Sequence, residues 1–113
     1  MALTEINLEY KANDPVSIKK EWSHFGVTGS GDMEVLMEKK DLDGATKVKI
    51  VTPVVGFDKV WNLVLKKFVD QNNIGDVSIE INDNNATPIV ASIRLRQALA
   101  NANGDETGGE NNE

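Results

Sequence analysis

Residues 56–82 read GFDKVWNLVLKKFVDQNNIGDVSIEIN, and the spacing of the apolar residues changes once within this stretch. In its first half, apolar side chains recur at intervals of three and four residues, which indicates an amphipathic helix. After Gly75, apolar and polar residues alternate, which is typical of a half-buried strand. The stretch therefore predicts a helix and then a strand, with Gly75 ending the helical segment. The apolar positions are Phe57, Val60, Trp61, Val64, Leu65, Phe68 and Val69 in the helix, and Val77, Ile79 and Ile81 in the strand.

Before residue 56, the chain is dominated by the two-residue period of strands. The segments EINLEY, EWSHFGV, MEVLME and TKVKIVT carry this period, although EWSHFGV alternates less regularly. Between the last two segments, KKDLDGA contains the pair Asp43 and Gly44, which favours the tight turn that joins antiparallel neighbours. We therefore expect these two strands to form a hairpin.

A second helix is predicted after the last strand. Thr87 precedes Pro88, and this pair favours a helix start because the hydroxyl can cap the first turn and proline needs no backbone partner there. The order of strands, helix, strand and helix predicts an α+β fold, a small two-layer domain with a mainly antiparallel sheet and two helices packed on it. The apolar stripe of the second helix comprises Ala91, Leu95, Ala98, Leu99 and Ala102.

Length and composition exclude several classes of protein. A chain of 113 residues is long enough for one domain. It contains no cysteine, so it has neither a disulfide nor a thiolate metal site, and we expect a cytoplasmic location. Because no stretch approaches the roughly 18 apolar residues of a membrane helix, we expect no membrane span.

The formal charge of −6 is concentrated at the C-terminus. Residues 101–113, NANGDETGGENNE, contain four acidic and no basic residues, which leaves a charge of −2 for residues 1–100. The segment has no large apolar side chain, so we expect residues 101–113 to be an acidic disordered tail, dispensable for folding, after a domain of residues 1–100. The nearly balanced domain lacks the concentrated positive charge of a nucleic-acid-binding surface, so no nucleic acid is expected as a partner.

Motifs for metal binding and nucleophilic catalysis are weak. His24 is the only histidine, and the acidic residues have neither EF-hand nor zincin spacing, so no metal site is expected. A hydrolase would need Ser30 as nucleophile and His24 as base, but TGSGD is not the G-x-S-x-G elbow. We therefore predict no catalytic residue.

Other conspicuous side chains have ordinary structural interpretations. The helical spacing of Trp61 and Phe68 places them in the core. Arg94 and Arg96 are expected on a solvated helix face, although an arginine there can also bind an anion. His24 is expected to be a hydrogen-bonded or exposed imidazole within a strand.

The stretch VTGSGDMEVLME, residues 27–38, places Ser30 between Gly29 and Gly31, with Asp32 immediately after them. Glycine and serine dominate turns, so one interpretation is a tight turn that enters a strand. The flanking glycines also remove side chains that would block a bulky reagent from the hydroxyl. The residues alone leave open whether Ser30 is a site of modification.

Three segments in order resemble the acyl carrier (delta) subunit of malonate decarboxylase: GSGDMEVLME, the segment from TPVVG into the following helix, and INDNNATPIVASIRLRQAL. The resemblance spans about residues 27–98. The acyl carrier (gamma) subunit of citrate lyase shares the Ser-x-Asp start, but Trp61 and the Thr87-Pro88 pair are more similar to the malonate branch. The sequence departs from the family pattern at Asn84, Asn85 and Ile89.

The resemblance implies that Ser30, flanked by Gly29, Gly31 and Asp32, carries a covalent 2'-(5''-phosphoribosyl)-3'-dephospho-CoA group through a phosphodiester. It also implies a non-catalytic carrier of acetyl and malonyl thioesters. From its position beside Ser30, and apart from the resemblance, Asp32 is a candidate to orient the hydroxyl or to help hold a metal in the modifying enzyme's site. The implied partners are the acyltransferase (malonyl transferase) and decarboxylase subunits and a holo-carrier synthase. The alternatives are a citrate-lyase-type acyl carrier subunit and a non-covalent protein interaction module in which GSGD is only a turn.

Overall fold

The computed structural model describes residues 2–104, which form one sheet and two helices. The predicted two-layer α+β fold is confirmed, and the helix and strand expected within residues 56–82 are both present. No helix in residues 2–104 is long and apolar enough to cross a membrane. The elements are β1 (Thr4–Lys11), β2 (Trp22–Gly26), β3 (Asp32–Lys39), β4 (Ala45–Thr52), α1 (Asp58–Asn72), β5 (Val77–Asn84) and α2 (Pro88–Ala102).

The five strands lie in the order β1-β4-β5-β3-β2. The pairings of β1 with β4, of β5 with β3 and of β3 with β2 are antiparallel, whereas β4 and β5 are parallel. A parallel pair needs a long crossover connection, and α1 supplies it. The C-terminal ends of β4 and β5 therefore meet the N-terminal end of β3 at one end of the sheet.

The prediction that the strands before and after Asp43 and Gly44 pair as a hairpin is wrong. Both residues have positive φ, 57° and 84°, so the chain does reverse there. However, β5 lies between the two strands that the turn connects. Asp76, just before β5, enters the turn, and its Oδ1 accepts hydrogen bonds from the backbone N–H of Gly44 (2.8 Å) and of Leu42 (3.0 Å). These bonds hold the pKa of the Asp76 carboxyl below its usual range.

One hydrophobic core fills the space between the sheet and the two helices. Trp61 and Phe68, each 5% exposed, are confirmed as core residues, and the predicted apolar stripe of α2 is buried. Burying a side chain of this size contributes about 1.5–3 kcal/mol. From the strands, a row of paired residues faces the helices: Ile6, Ile50, Ile81 and Val35.

The chain leaves α1 at an asparagine rather than at the expected glycine. Asn73 adopts the left-handed conformation (φ 49°, ψ 45°), and its N–H bonds to the carbonyl of Val69. Asparagine tolerates this conformation better than most residues. Gly75 is required for a different reason, because a Cβ there would overlap the Gly44 carbonyl oxygen and lie 2.6 Å from Cβ of Pro15. Glycine at this position permits the close approach of three connections, β1–β2, β3–β4 and α1–β5.

The domain extends beyond the expected boundary at residue 100. Helix α2 continues to Ala102, which is fully buried and whose carbonyl accepts a hydrogen bond from the N–H of Lys20 (2.9 Å). Asn101 Nδ2 donates to Oγ of Ser23 at 2.6 Å. The first residues of the expected tail thus belong to the folded domain. Residues 105–113 lie outside the described residues, so their disorder stays a prediction.

Gly75→Ala is expected to lower the free energy of unfolding by about 2 kcal/mol, because overpacking a closed site typically costs 1–3 kcal/mol. Urea denaturation measures the change. Gly29→Ala is the matched control, since its φ is not positive and its new Cβ would meet only Cγ2 of Val27 at 3.8 Å. The control should change stability by less than ~0.5 kcal/mol. Equal effects of the two substitutions would show that the tight contact at Gly75 is not required.

Truncation after residue 100 is expected to destabilise the domain by about 2–4 kcal/mol, because it removes a buried alanine and several hydrogen bonds. Truncation after residue 104 keeps these contacts and should leave the urea midpoint unchanged. The comparison separates the folded end of α2 from the remaining acidic segment. A protein that tolerates both truncations would contradict the packing of Ala102.

Candidate functional site

Ser30 lies in the loop of residues 27–31, which joins β2 to β3. The N–H of Asp32 donates to the Gly29 carbonyl at 3.0 Å and closes a tight turn. Gly31 has a φ of +75°, a left-handed conformation that favours glycine. GSGD is therefore a turn that enters a strand, as expected, and its serine is exposed.

The space around Ser30 is open. A Cβ added at Gly31 would meet no heavy atom within 4 Å, and one at Gly29 would meet only Val27 at 3.8 Å. Within residues 2–104, no side-chain hydrogen bond involves the Ser30 hydroxyl, so the oxygen is not held by a neighbouring base. Ser30 is therefore exposed, and its two glycine neighbours place no side chain beside it.

Asn84, the last residue of β5, forms hydrogen bonds with the loop on both sides of Ser30. Its carbonyl accepts a hydrogen bond from the N–H of Gly31 at 2.8 Å. Its side-chain Nδ2 donates to the carbonyl of Thr28 at 3.1 Å. Asn84 is one of the positions where the sequence departs from the family pattern, and here it connects the loop to the central strand.

Asp32 forms a bidentate ion pair with Arg94 of α2. Its Oδ1 and Oδ2 accept hydrogen bonds from Nε at 2.8 Å and Nη2 at 3.0 Å, and Oδ1 also accepts from the N–H of Met33 at 2.7 Å. The two side chains are 29% (Arg94) and 21% (Asp32) exposed. The hydrogen bonds from Arg94 lower the pKa of the Asp32 carboxyl, and those to Asp32 raise the pKa of Arg94.

In the structure, the Asp32 carboxylate pairs with Arg94 rather than with the Ser30 hydroxyl. The hydrogen bonds of the carboxylate run to Arg94 and Met33, and among the described residues none runs to Ser30. A carboxylate shared with a guanidinium is a weaker base and a less available metal ligand than a free one. Asp32 instead ties the start of β3, directly after the serine loop, to α2. Arg94 binds an anionic group within the chain, which is the second of the two interpretations its sequence position allowed.

His24 is hydrogen-bonded, as expected, but not to Ser30. Its Nε2 lies 2.7 Å from Oε2 of Glu34, whose Oε1 accepts a hydrogen bond from Asn82 Nδ2 at 2.9 Å. The bond with His24 lowers the pKa of the Glu34 carboxyl. No Ser-His pair is formed, and residues 2–104 contain no group of three or more histidine, aspartate or glutamate residues able to hold a metal ion.

A pocket of about 270 Å³ opens at the same end of the sheet, between the N-terminal halves of α1 and α2. Asp83, which is 8% exposed, also lines it, and its carboxylate accepts hydrogen bonds from Oγ1 of Thr52 and from the N–H of Ala86. The sequence did not predict this pocket, because its walls come from separate segments. Its apolar wall includes Val54, Phe57, Trp61, Val64, Ala86 and Ala91.

The structure thus presents Ser30 as an exposed serine on a loop that is hydrogen-bonded to β5 on both sides. The profile of the family described as "Malonate decarboxylase delta subunit (MdcD)" matches residues 20–102. The chain belongs to this family of acyl carrier proteins, and the resemblance of its three segments is confirmed.

The similarity covers nearly all of the chain. The chain is 49% identical over 104 residues to the malonate decarboxylase acyl carrier protein of Malonomonas rubra, and the alignment covers 92% of this chain and 93% of the relative. It is 47% identical over 74 residues to that of Xanthomonas campestris pv. campestris (strain B100), covering 66% and 70%. A chain in a crystal structure of a Pseudomonas malonate decarboxylase hetero-tetramer in complex with malonate has a similar fold, with a TM-score of 0.77 and 27% identity over 88% of this chain and 98% of that one.

Asp32→Asn is expected to lower the free energy of unfolding by about 1–2 kcal/mol at pH 7, because it weakens a partly buried charge-assisted pair. The folded-state pKa of Asp32 is depressed, so its contribution is present above the unfolded-state pKa of about 3.9 and is lost as the pH falls through the lower folded value. The difference between wild type and variant should therefore shrink below about pH 4 in urea denaturation.

Asp70→Asn is the control for this measurement. Asp70 pairs with Lys66 at 2.9 Å, but both side chains are 60% exposed. An exposed pair of this kind contributes about 0.3–0.5 kcal/mol, so the control should differ little from wild type. A difference for Asp32→Asn that stays constant from pH 7 to pH 3 would contradict the ion-pair explanation.

Proposed function

We propose that this chain is the acyl carrier subunit of a malonate decarboxylase and that Ser30 is the attachment site of a 2'-(5''-phosphoribosyl)-3'-dephospho-CoA group. The observation that carries the proposal is the exposed Ser30 hydroxyl between two glycines, with open space around it. Membership of the family and 49% identity to the Malonomonas rubra carrier support the carrier role.

The chain supplies the attacking oxygen for this modification. Oγ of Ser30 forms a bond to a phosphorus of an activated, polyphosphorylated donor, and the bond from that phosphorus to its leaving phosphate breaks. The hydroxyl proton passes to a base of the holo-carrier synthase, because among the described residues no base of this chain is hydrogen-bonded to Ser30. Asn84 and the pair of Asp32 with Arg94 hold the loop in place for that encounter.

When bound, the group supplies a terminal thiol for acyl transfer, and the chain itself contains no cysteine that could compete for the acyl group. In this proposal the chain contributes no catalytic residue. Acetyl is exchanged for malonyl at an acyltransferase (malonyl transferase) subunit, and malonyl is decarboxylated at a decarboxylase subunit. Tethering raises the local concentration of the thioester to the order of millimolar.

The partners proposed here are those two subunits and, for the modification step, the synthase. The similar chain belongs to a Pseudomonas hetero-tetramer, which supports a place for this chain in a complex. We expect a cytoplasmic complex. A citrate-lyase-type carrier would require different partner subunits, and acyl-transfer assays with each set of subunits distinguish the two. A non-covalent interaction module would require no group on Ser30.

The chain has no cysteine, so the unmodified protein should not react with a thiol-detecting disulfide reagent. After incubation with the holo-carrier synthase and its activated donor, and removal of any acetyl group, about one thiol per chain should appear, with the matching increase in intact mass. Ser30→Ala should give none, whereas Ser92→Ala, at another exposed serine, should react like wild type. No thiol in wild type, with a synthase that is active on another carrier, would leave GSGD as an ordinary turn.

Ser30→Ala should leave the free energy of unfolding within ~0.5 kcal/mol of wild type, because the side chain is exposed. The reconstituted decarboxylase should nevertheless lose malonate turnover with this variant and keep it with Ser92→Ala. Turnover that persists with Ser30→Ala would mean that the attachment site lies elsewhere.

A further inference from the structure

We propose that the pocket between α1 and α2 is a binding site for a neutral acyl thioester, the acetylated end of the group on Ser30, and that it excludes the malonylated end. This inference rests on the proposed function, because the attachment at Ser30 is what brings the thioester to the pocket. It adds a resting position for the acyl group on the carrier itself.

Ser30 and the rim of the pocket are connected by a short path through Asn84. The N–H of Gly31 bonds to the Asn84 carbonyl at 2.8 Å, and the chain neighbours of Asn84, Asp83 and Asn85, both line the pocket. From Ser30 to Asn85 this path spans two Cα–Cα steps along the chain and one between paired strands, at most about 13 Å. Asn85, which lines the pocket, thus lies within about 13 Å of Ser30.

The lining of the pocket suits a small, largely apolar ligand. Most of its lining residues are valine, alanine, proline and aromatic side chains, including Phe57 and Trp61, and the polar ones are Asp83, Asn85 and Thr87. A volume of about 270 Å³ is slightly below the range typical of small-molecule sites, which begins at roughly 300 Å³. A pocket of this size holds the acetyl group, the sulfur and the first atoms of the chain that follows, rather than a whole nucleotide-derived group.

The charges around the pocket favour binding of an acetyl group over binding of a malonyl group. Asp83 is already satisfied by donors from Thr52, Asn85 and Ala86, and no lysine or arginine is among the pocket's lining residues. A malonyl carboxylate would lose its hydration beside another carboxylate without gaining a cation, which is strongly unfavourable. An acetyl group carries no charge and loses only the water that covers it.

Binding in this pocket is expected to be weak and reversible. A fragment of this size in a small pocket binds with a Kd on the order of millimolar. A flexible tether gives an effective concentration that is also on the order of millimolar, so the pocket would be filled for about half of the time. The acetyl thioester is thereby partly shielded from water, while the malonyl thioester stays available to the decarboxylase subunit.

Trp61 lines the pocket and reports on its occupation without any modification of Ser30. The only other tryptophan, Trp22, is 58% exposed, so Trp22→Phe leaves a single fluorescent reporter. Titration of this chain with S-acetyl-N-acetylcysteamine should change the Trp61 emission with a saturable, millimolar midpoint. S-malonyl-N-acetylcysteamine should bind at least ten-fold more weakly.

Ala86→Leu fills the pocket and should abolish the change in emission, and Val54→Phe is a second filling variant should Ala86→Leu fail to fold. Leu63→Ala is the matched control, because Leu63 is 67% exposed on α1 and does not line the pocket. Absence of a saturable change with the acetyl probe, equal midpoints for the two probes, or unchanged binding in a folded filling variant would each overturn the proposal.

A second measurement tests the attached thioester. Hydroxylamine should cleave the acetyl thioester on the modified wild type about two-fold more slowly than on Ala86→Leu, in line with half-occupation of the pocket. The malonyl thioester should be cleaved at equal rates on both. Equal rates for acetyl would overturn the resting position. Failure of the thiol assay at Ser30 would instead remove the proposed function, and the probe titrations would still show whether the pocket takes neutral thioesters.

Discussion

The pairing of β5 on both of its edges is the constraint on which the rest of the sheet depends. Without β5, the sheet would be two separate two-stranded ribbons, β1 with β4 and β3 with β2, and such ribbons are marginally stable in water. Val77, Ile79 and Ile81 are fully buried along its helix-facing side. The ends of β5 also organise their surroundings, because Asp76 binds the β3–β4 turn and Asn84 binds the serine loop.

The helices and strands of this fold could be predicted from the sequence because each has a characteristic local pattern of apolar residues. Burial of one face is indicated by three sequence patterns: the helical period after Gly56, the alternation around Ile79 and the apolar stripe on α2. The order in which the strands pair could not be predicted from such local patterns. Asp43 and Gly44 specify a reversal of the chain, but β5 pairs with β3 and separates the two strands that the turn connects. A helix between two strands is itself a signal for a parallel pair, and here it outweighs the turn.

The site was accessible from the sequence only in part. Ser30 and its glycines are adjacent in the chain, so their exposure could be expected from the residues themselves. The partner of Asp32 could not, because Arg94 lies 62 positions away and has the spacing of an ordinary exposed helix residue. The pocket also escaped prediction, since Val54, Trp61 and Ala86 belong to three segments that only the folded sheet brings together.

The hydrogen bonds around Ser30 would limit how far the group proposed for Ser30 can travel. The loop is held by the hydrogen bonds that Gly31 and Thr28 form with the last residue of β5, and the next residue, Asp32, is held by its bonds with Arg94 of α2. These bonds restrict the movement of the loop. Under the proposed attachment at Ser30, the group would sweep a sphere centred near this loop, with a radius equal to the length of the group. Every catalytic centre that it serves must open inside that sphere. The carrier thus limits the size and geometry of any assembly built around it.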